Sequence, residues 1–136
     1  MNFNVKEFQN LLTKYTGMLV LVEGKKDAAA LQILGFSNVL ALNGKPLFEV
    51  VEFVVSQSKD CLILTDLDAE GKKLYSRLSH ELMKQGVQVH NQLRNWLFKN
   101  TDLRQIEGLT NFLANLSYYS GGHKFLDKHM SFTITN

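Results

Sequence analysis

Short and nearly continuous apolar runs recur along the chain and predict its strands. Residues 18–23, 38–42 and 61–65 form three such runs, and 87–93 is a weaker fourth. Runs of this kind are typical of strands covered on both faces, and such strands usually belong to parallel sheets. The pattern therefore predicts a parallel sheet buried on both sides.

Between these runs the apolar positions change to helical spacing. The first helix is predicted to begin at Asn4, which is placed with Glu7 like a capping box, and to stop at Gly17. The second helix, over residues 25–34, is rich in alanine and leucine, and Gly35 is placed to end it. Helix and strand thus alternate from the start of the chain.

Two more helices are predicted before the fourth strand. Pro46 suits the first turn of a helix that runs to about residue 57. Its core face would carry Leu47, Val50, Val51 and Val54. Leucines recur every four residues on the next helix, which Gly86 ends; they are Leu74, Leu78 and Leu82.

This alternation predicts an α/β fold with a four-stranded parallel sheet, helices on both faces and right-handed crossovers. After the fourth strand we expect one more amphipathic helix following Thr101, with its apolar positions at Leu103, Ile106, Leu109, Leu113 and Leu116. The tail 130–136 alternates like an edge strand, although segments this short often pair with nothing.

Residues 94–99 interleave basic and aromatic groups. Such a pattern can form a surface on which nucleic-acid bases stack. Because Trp96, Leu97 and Phe98 are apolar, we expect instead that they complete the core.

Composition adds little about partners but narrows the class of protein. The 136 residues carry a formal charge of +2, an excess too small to demonstrate a polyanionic partner. The single cysteine, Cys61, opens an apolar run and is expected to be a buried free thiol, which suits a reducing cytoplasm. No apolar run approaches membrane-spanning length, so we expect a cytoplasmic protein without a membrane anchor.

Acidic residues follow two of the predicted strands. Glu23 ends the first strand, and Asp66, Asp68 and Glu70 follow the third at alternate positions. Carboxylates about 5 Å apart repel by about 3 kcal/mol at an effective dielectric near 20, which predicts a cation among them. A cluster of hard oxygen ligands favours Mg²⁺, whereas the alternative is that Asp68 and Glu70 only cap the following helix.

These residues resemble the Toprim family, which topoisomerases, bacterial-type primases and ribosomal-RNA-maturing endoribonucleases share. The match lies in "VEGKKD", 22–27, and "DLDAEG", 66–71, each directly after an apolar strand. It covers about residues 17–97 and includes the Asn43-Gly44 turn. The resemblance implies a Toprim-like (Rossmann-like) core over 17–97. The length of the chain fits a single domain, 1–136, in which 98–136 form a C-terminal helical extension and tail.

The resemblance also implies roles for the acidic residues. Glu23 would act as general acid or base, while Asp66 and Asp68 would coordinate Mg²⁺, or Mn²⁺ in its place, with Glu70 as a helper. Physical reasoning agrees, because a divalent ion neutralises charge developing on a phosphodiester while a nearby carboxylate moves protons.

If the resemblance to the Toprim family holds, two further pairs of residues would contact the substrate. Lys25 and Lys26, at the start of a helix, would contact phosphate, although a solvated surface turn explains them equally well. Asn43 and Gly44 resemble a family turn that approaches the site, but Asn-Gly is also a common way to reverse a chain.

The predicted function is Mg²⁺-dependent phosphodiester chemistry on RNA or DNA, by a small Toprim nuclease that uses water as nucleophile. Covalent strand passage, as in topoisomerases, needs a positioned tyrosine, and no motif marks one among the four tyrosines. The alternative is a noncatalytic module that binds nucleic acid and keeps the acidic pocket, with a partner protein or a second copy beside it.

Overall fold

The computed structural model describes residues 3–119 and the side chains of residues 3–115. Its strands are β1 (Val20–Val22), β2 (Val39–Ala41), β3 (Asp60–Ile63) and β4 (Gln88–His90). Its helices are α1 (Val5–Tyr15), α2 (Lys25–Ile33), α3 (Leu47–Gln57), α4 (Ala69–Lys84), α5 (Gln92–Asn100) and α6 (Leu109–Tyr119). A short 3-10 helix, Ile106–Gly108, precedes α6. The predicted tail strand over 130–136 lies outside the described residues.

The four strands form one parallel sheet in the order β2-β1-β3-β4, which confirms the predicted fold. Strand β1 pairs with β2 on one side and with β3 on the other. The middle positions of the sheet are fully buried, as Leu21 in β1 and Leu62 in β3 illustrate. Their continuous apolar character follows from burial on both faces.

Each face of the sheet packs against its own set of helices. Helices α1, α2, α5 and α6 contribute to the core on one face, where Phe8, Leu31 and Leu97 are buried. Helices α3 and α4 cover the other face, and the predicted positions Val50, Val54, Leu78 and Leu82 are buried there. The loops that follow β1 and β3 lie at the carboxyl edge of the sheet, which is where ligands collect in open parallel sheets.

The segment after β4 differs from the prediction. The strand ends at His90, and α5 occupies residues in which no helix was predicted. Leu93, Trp96 and Leu97 have the spacing of one buried helix face, so the signal was present. The next helix was also misplaced, because regular structure resumes only at Ile106 and α6 begins at Leu109.

Hydrogen bonds explain why no helix starts at Thr101. Its hydroxyl donates to the carbonyl of Leu97 and accepts from the N–H of Leu103, which ends α5 with an extended backbone. The carbonyl of Arg104 then accepts from the N–H of Leu67, at 2.7 Å. Residues 101–105 are therefore held along the loop after β3, where a helix would lose these contacts.

The aromatic residues of α5 divide between core and surface. Trp96 is buried as predicted, stacks on Phe8 at 5.4 Å and donates from Nε1 to Glu7. Phe98 was predicted to complete the core, and this was wrong: its side chain is 41% exposed. None of the helices over residues 3–119 is long and apolar enough to cross a membrane.

Candidate metal centre

The first predicted acidic residue contacts the second directly. Strands β1 and β3 are neighbours, with Val20 opposite Leu62, so their carboxyl ends meet at one edge. Glu23 follows β1, and its Oε2 accepts a hydrogen bond of 2.7 Å from the backbone N–H of Asp66. Residues 43 positions apart in the chain are thus joined by one hydrogen bond at this edge.

Asp66 is oriented by residues that lie after the family motif. Its Oδ1 accepts from the N–H of Ile106 at 2.9 Å, at the start of the 3-10 helix. Its carbonyl accepts from Nη2 of Arg94, also at 2.9 Å, and Nη1 of Arg94 donates to the carbonyl of Thr65. The main chain and the carboxylate of Asp66 are therefore both held in place.

Asp68 begins α4. Its Oδ1 accepts from the N–H of Gly71 at 2.8 Å, so Asp68 caps this helix. The half-buried carboxylate still contributes negative charge that raises the pKa of Glu23 and of Asp66. Glu70 is exposed on the first turn of α4, where a carboxylate interacts favourably with the helix dipole.

Gly71 brings the start of α4 against the site. A Cβ atom on this residue would lie 1.8 Å from the carbonyl oxygen of Asp66 and 2.5 Å from its carbonyl carbon. The hydroxyl of Thr65 donates to the carbonyl of Gly71 at 2.7 Å, which fixes the same approach from the strand side. The glycine that closes "DLDAEG" is required by this close packing of backbone on backbone.

The site is electrostatically unfavourable without a cation. Burial raises the pKa of Glu23; the hydrogen bond from Asp66 opposes this, and the charges of Asp66, Asp68 and Asp27 raise it further. Burial likewise raises the pKa of Asp66, against a hydrogen bond from the N–H of Ile106 and with repulsion from Asp68. Within residues 3–119 the only acids in ion pairs are Glu81 and Asp60. Glu23 and Asp66 therefore form no salt bridge with a described lysine or arginine.

Three charged residues of this edge were missed by the sequence reasoning. Asp27 is 7% exposed and accepts from the N–H of Gly24 at 3.0 Å, while burial raises its pKa. Glu107 lies close enough for its charge to raise the pKa of Asp27 and of Asp66. Arg94 is a buried cation beside them, and its charge lowers the pKa of Asp66 against the effect of burial.

The remaining predicted residues surround this edge. Asn43 and Gly44 have positive φ values of 50° and 73°, and the N–H of Asn43 donates to the carbonyl of Glu23 at 2.9 Å. The turn therefore adjoins the backbone of Glu23. Lys25 and Lys26 are exposed on the first turn of α2.

The chemistry of these donors fits Mg²⁺. They are carboxylate oxygens, the ligand type that Mg²⁺ prefers, and they carry repulsion that a divalent ion would relieve. Within residues 3–119 no group of three or more His, Cys, Asp or Glu side chains is arranged to hold a metal. Because Mg²⁺ is commonly bound through one or two carboxylates, waters and substrate phosphate, the donor set suits an ion that binds with its substrate.

The chain is similar to proteins of known sequence and structure. A family model described as the Toprim domain matches residues 18–96. A UPF0292 protein of Pyrococcus abyssi is 33% identical over 84% of this chain and 89% of its own length, and one of Methanocaldococcus jannaschii is 29% identical over 69% and 77%. A solved structure from Aquifex aeolicus is 32% identical, with a TM-score of 0.68 over 76% of this chain and 96% of that one. The resemblance seen in the two acidic motifs is confirmed, and the chain belongs to the Toprim domain family.

Proposed function

We propose that the protein is a Mg²⁺-dependent nuclease that hydrolyses phosphodiester bonds of RNA or DNA. Membership of the Toprim family indicates metal-dependent work on nucleic acid in general. The observation that carries the finer proposal is the contact between Glu23 and Asp66, which brings two half-buried carboxylates together at the edge of the sheet where ligands bind. Such clusters of perturbed carboxylates are typical of catalytic sites.

Each acidic residue has a proposed role. Asp66 and Asp68 would hold Mg²⁺, or Mn²⁺ in its place, and the exposed Glu70 would assist through a water molecule. When bound, the ion supplies positive charge that stabilises the phosphodiester during attack. Glu23 uses Oε2 for the N–H of Asp66, which leaves Oε1 to accept a proton from the attacking water.

A raised pKa suits Glu23 for this task. Burial and the neighbouring acids raise the pKa of its carboxyl group, so the group holds a proton more readily than an exposed glutamate does. A general base works best when its pKa is near the working pH. We expect cleavage to rise with pH as Glu23 loses its proton.

Residues around the edge would bind the substrate. Lys25 and Lys26 are exposed at the N-terminus of α2, where the helix dipole and the side-chain charges both attract phosphate. The turn at Asn43 and Gly44 adjoins Glu23 and would restrict the path by which a nucleic-acid strand reaches the acidic site. We place the activity in the cytoplasm, where the free and buried thiol of Cys61 stays reduced.

A noncatalytic module is the second candidate, and one observation favours it. The carboxylates of Asp66 and Asp68 already accept hydrogen bonds from backbone N–H groups, which gives both residues a structural role. In this case the protein would bind nucleic acid and position a partner protein or a second copy.

A cleavage screen separates the two candidates. Labelled single- and double-stranded RNA and DNA are incubated with the protein, with and without Mg²⁺. Glu23→Gln should slow cleavage by about 10²- to 10⁴-fold, as expected for loss of a general acid or base. Asp66→Asn should abolish it while affinity for nucleic acid persists or rises, since repulsion of phosphate falls.

The variants are chosen to preserve structure. Glutamine at position 23 and asparagine at position 66 keep an oxygen that can accept the N–H groups of Asp66 and Ile106. Glu52→Gln removes one exposed charge from α3, which carries none of the proposed site residues, and it should cleave like the wild type. Absence of turnover on every substrate with concentrated protein and Mg²⁺ would favour the noncatalytic module.

A further inference from the structure

Phe98 is an exposed aromatic ring that carries two cations. Nζ of Lys72 lies 4.3 Å from the ring centroid, and the guanidinium of Arg104 lies 5.1 Å from it. The three residues come from α4, α5 and the segment that follows α5. Three separate parts of the chain therefore meet at one basic and aromatic surface.

A cavity of about 280 Å³ opens beside this ring. Its lining includes Leu67, Lys72, Tyr75, Arg94, Asn95 and Phe98. The volume lies just below the usual range of about 300–1,000 Å³ for ligand pockets, which suits one nucleotide rather than a duplex. Two cations, two aromatic rings and an amide are the groups that a nucleotide needs for its phosphate, base face and base edge.

Arg94 links this cavity to the acidic site. Its side chain is only 6% exposed and donates to main-chain carbonyls, including that of Asp66 at 2.9 Å. Its guanidinium also lies 4.7 Å from the ring of Tyr75. No described ion pair involves Arg94; burial lowers its pKa, and the nearby charges of Glu23, Asp66 and Asp68 oppose this. A phosphate in the cavity would lie beside this buried cation.

Leu67 shows where the cavity lies relative to the acidic site. It lines the cavity and stands in the chain between Asp66 and Asp68, so the cavity adjoins the loop that carries both proposed metal ligands. A nucleotide bound here would belong to the strand whose phosphodiester reaches the acidic edge.

We propose that the cavity beside Phe98 binds one unpaired nucleotide of a single-stranded nucleic acid, with the base on the Phe98 ring and a phosphate at Lys72 and Arg94. The inference rests on the proposed nucleic-acid function and assigns its substrate as single-stranded at this position. Lys72 and Arg104 are exposed, so both can leave the ring for phosphates while the base takes its face. A paired base is stacked inside its duplex and cannot present that face.

Binding is measured without cleavage, by fluorescence anisotropy in EDTA with short labelled RNA and DNA strands and the matching duplexes. Phe98→Ala should weaken single-strand binding by about 5- to 150-fold, the range for loss of one stacked base, and leave duplex binding unchanged. Phe98→Leu keeps apolar bulk against the protein and should weaken binding in the same direction. The matched control is Phe53→Ala on α3, whose ring is 45% exposed, and it should bind like the wild type.

The phosphate contact has its own test. Lys72→Gln should reduce the dependence of log K on log salt concentration by about 0.7, because one phosphate contact with a single strand is lost. Lys73→Gln is the control on the same turn of α4; this lysine is also exposed, and its variant should keep the wild-type slope. Equal slopes for the two variants would remove Lys72 from the site.

The outcomes separate this inference from the proposed function. If Phe98→Ala and Phe53→Ala bind alike while the wild type cleaves, the nucleotide site is wrong and the nuclease stands. Equal weakening of single strand and duplex also overturns it. If a nucleoside monophosphate binds to the wild type and not to Phe98→Ala, while single strands do not bind at all, the cavity is a site for a free nucleotide and the proposal is wrong. A wild type that neither binds nor cleaves any nucleic acid refutes both proposals.

Discussion

Replacing Gly71 with alanine tests the packing that positions the acidic loop. The new Cβ would lie 1.8 Å from the carbonyl oxygen of Asp66, whereas ordinary contacts begin at 3.4 Å. The start of α4 and the backbone of Asp66 must therefore separate by about 1.6 Å, which would break the contact between Glu23 and Asp66. Backbone atoms on the strand side cannot yield as a flexible side chain would.

The expected cost follows from two opposing effects. Forcing a methyl group into a packed site typically costs about 1–3 kcal/mol, occasionally more, and alanine regains up to about 1 kcal/mol over glycine inside a helix. With contact this short, we expect a net loss of about 2 kcal/mol in the free energy of unfolding. For a chain of this size the melting temperature should fall by roughly 6–10 °C.

Thermal and urea unfolding measure this loss, and the cleavage assay measures the damage to the site. Gly17→Ala is the matched control, because a Cβ there meets nothing within 4 Å, and it should melt within a degree or two of the wild type or slightly higher. A Gly71→Ala protein with wild-type stability and wild-type cleavage would show that the close approach has no role.

Three further predictions concern single residues. Burial raises the pKa of Asp66 in the folded protein above its ordinary value of 3.8. This acid therefore destabilises the fold increasingly as the pH rises from 3.8 through the folded pKa. In metal-free buffer Asp66→Asn should melt at a higher temperature than the wild type at pH 7, and the difference should disappear below pH 3.8. Arg94→Lys loses the two-pronged donation to the carbonyls of Thr65 and Asp66 and should cost about 1–3 kcal/mol in urea unfolding, while the exposed Arg77→Lys should cost almost nothing. Burial raises the pKa of Cys61 to about 12, so a thiol reagent at pH 8 should label it only after unfolding; rapid labelling of the native protein would contradict the buried position.

The sheet and its acidic edge could be predicted because their signals are local. Apolar runs identify β1 and β3 whatever packs on them, and parallel strands place Glu23 and Asp66 at the same edge once they are neighbours. The one assumption was that β1 and β3 are adjacent, and the strand order confirms it. The roles of these residues in metal binding and catalysis stay predictions.

The rest depended on contacts between distant segments, which no local pattern reveals. Residues 101–105 have apolar spacing that suits a helix, yet hydrogen bonds from Leu67 and to Thr101 hold them extended. Phe98 was assigned to the core by its apolarity, but it lies outside the buried face formed by Leu93, Trp96 and Leu97. The buried position of Arg94 likewise required knowing that α5 passes behind the loop after β3.

The 3-10 helix lies beyond the part of the chain that the family model covers, yet its N–H groups hold Asp66 and Asp27. A fragment that ends near residue 97 would keep every motif residue. It would lose the backbone N–H groups that orient the carboxylates of Asp66 and Asp27. Anyone who transplants this family core into another scaffold, or trims it for expression, should carry residues 101–108 along with it.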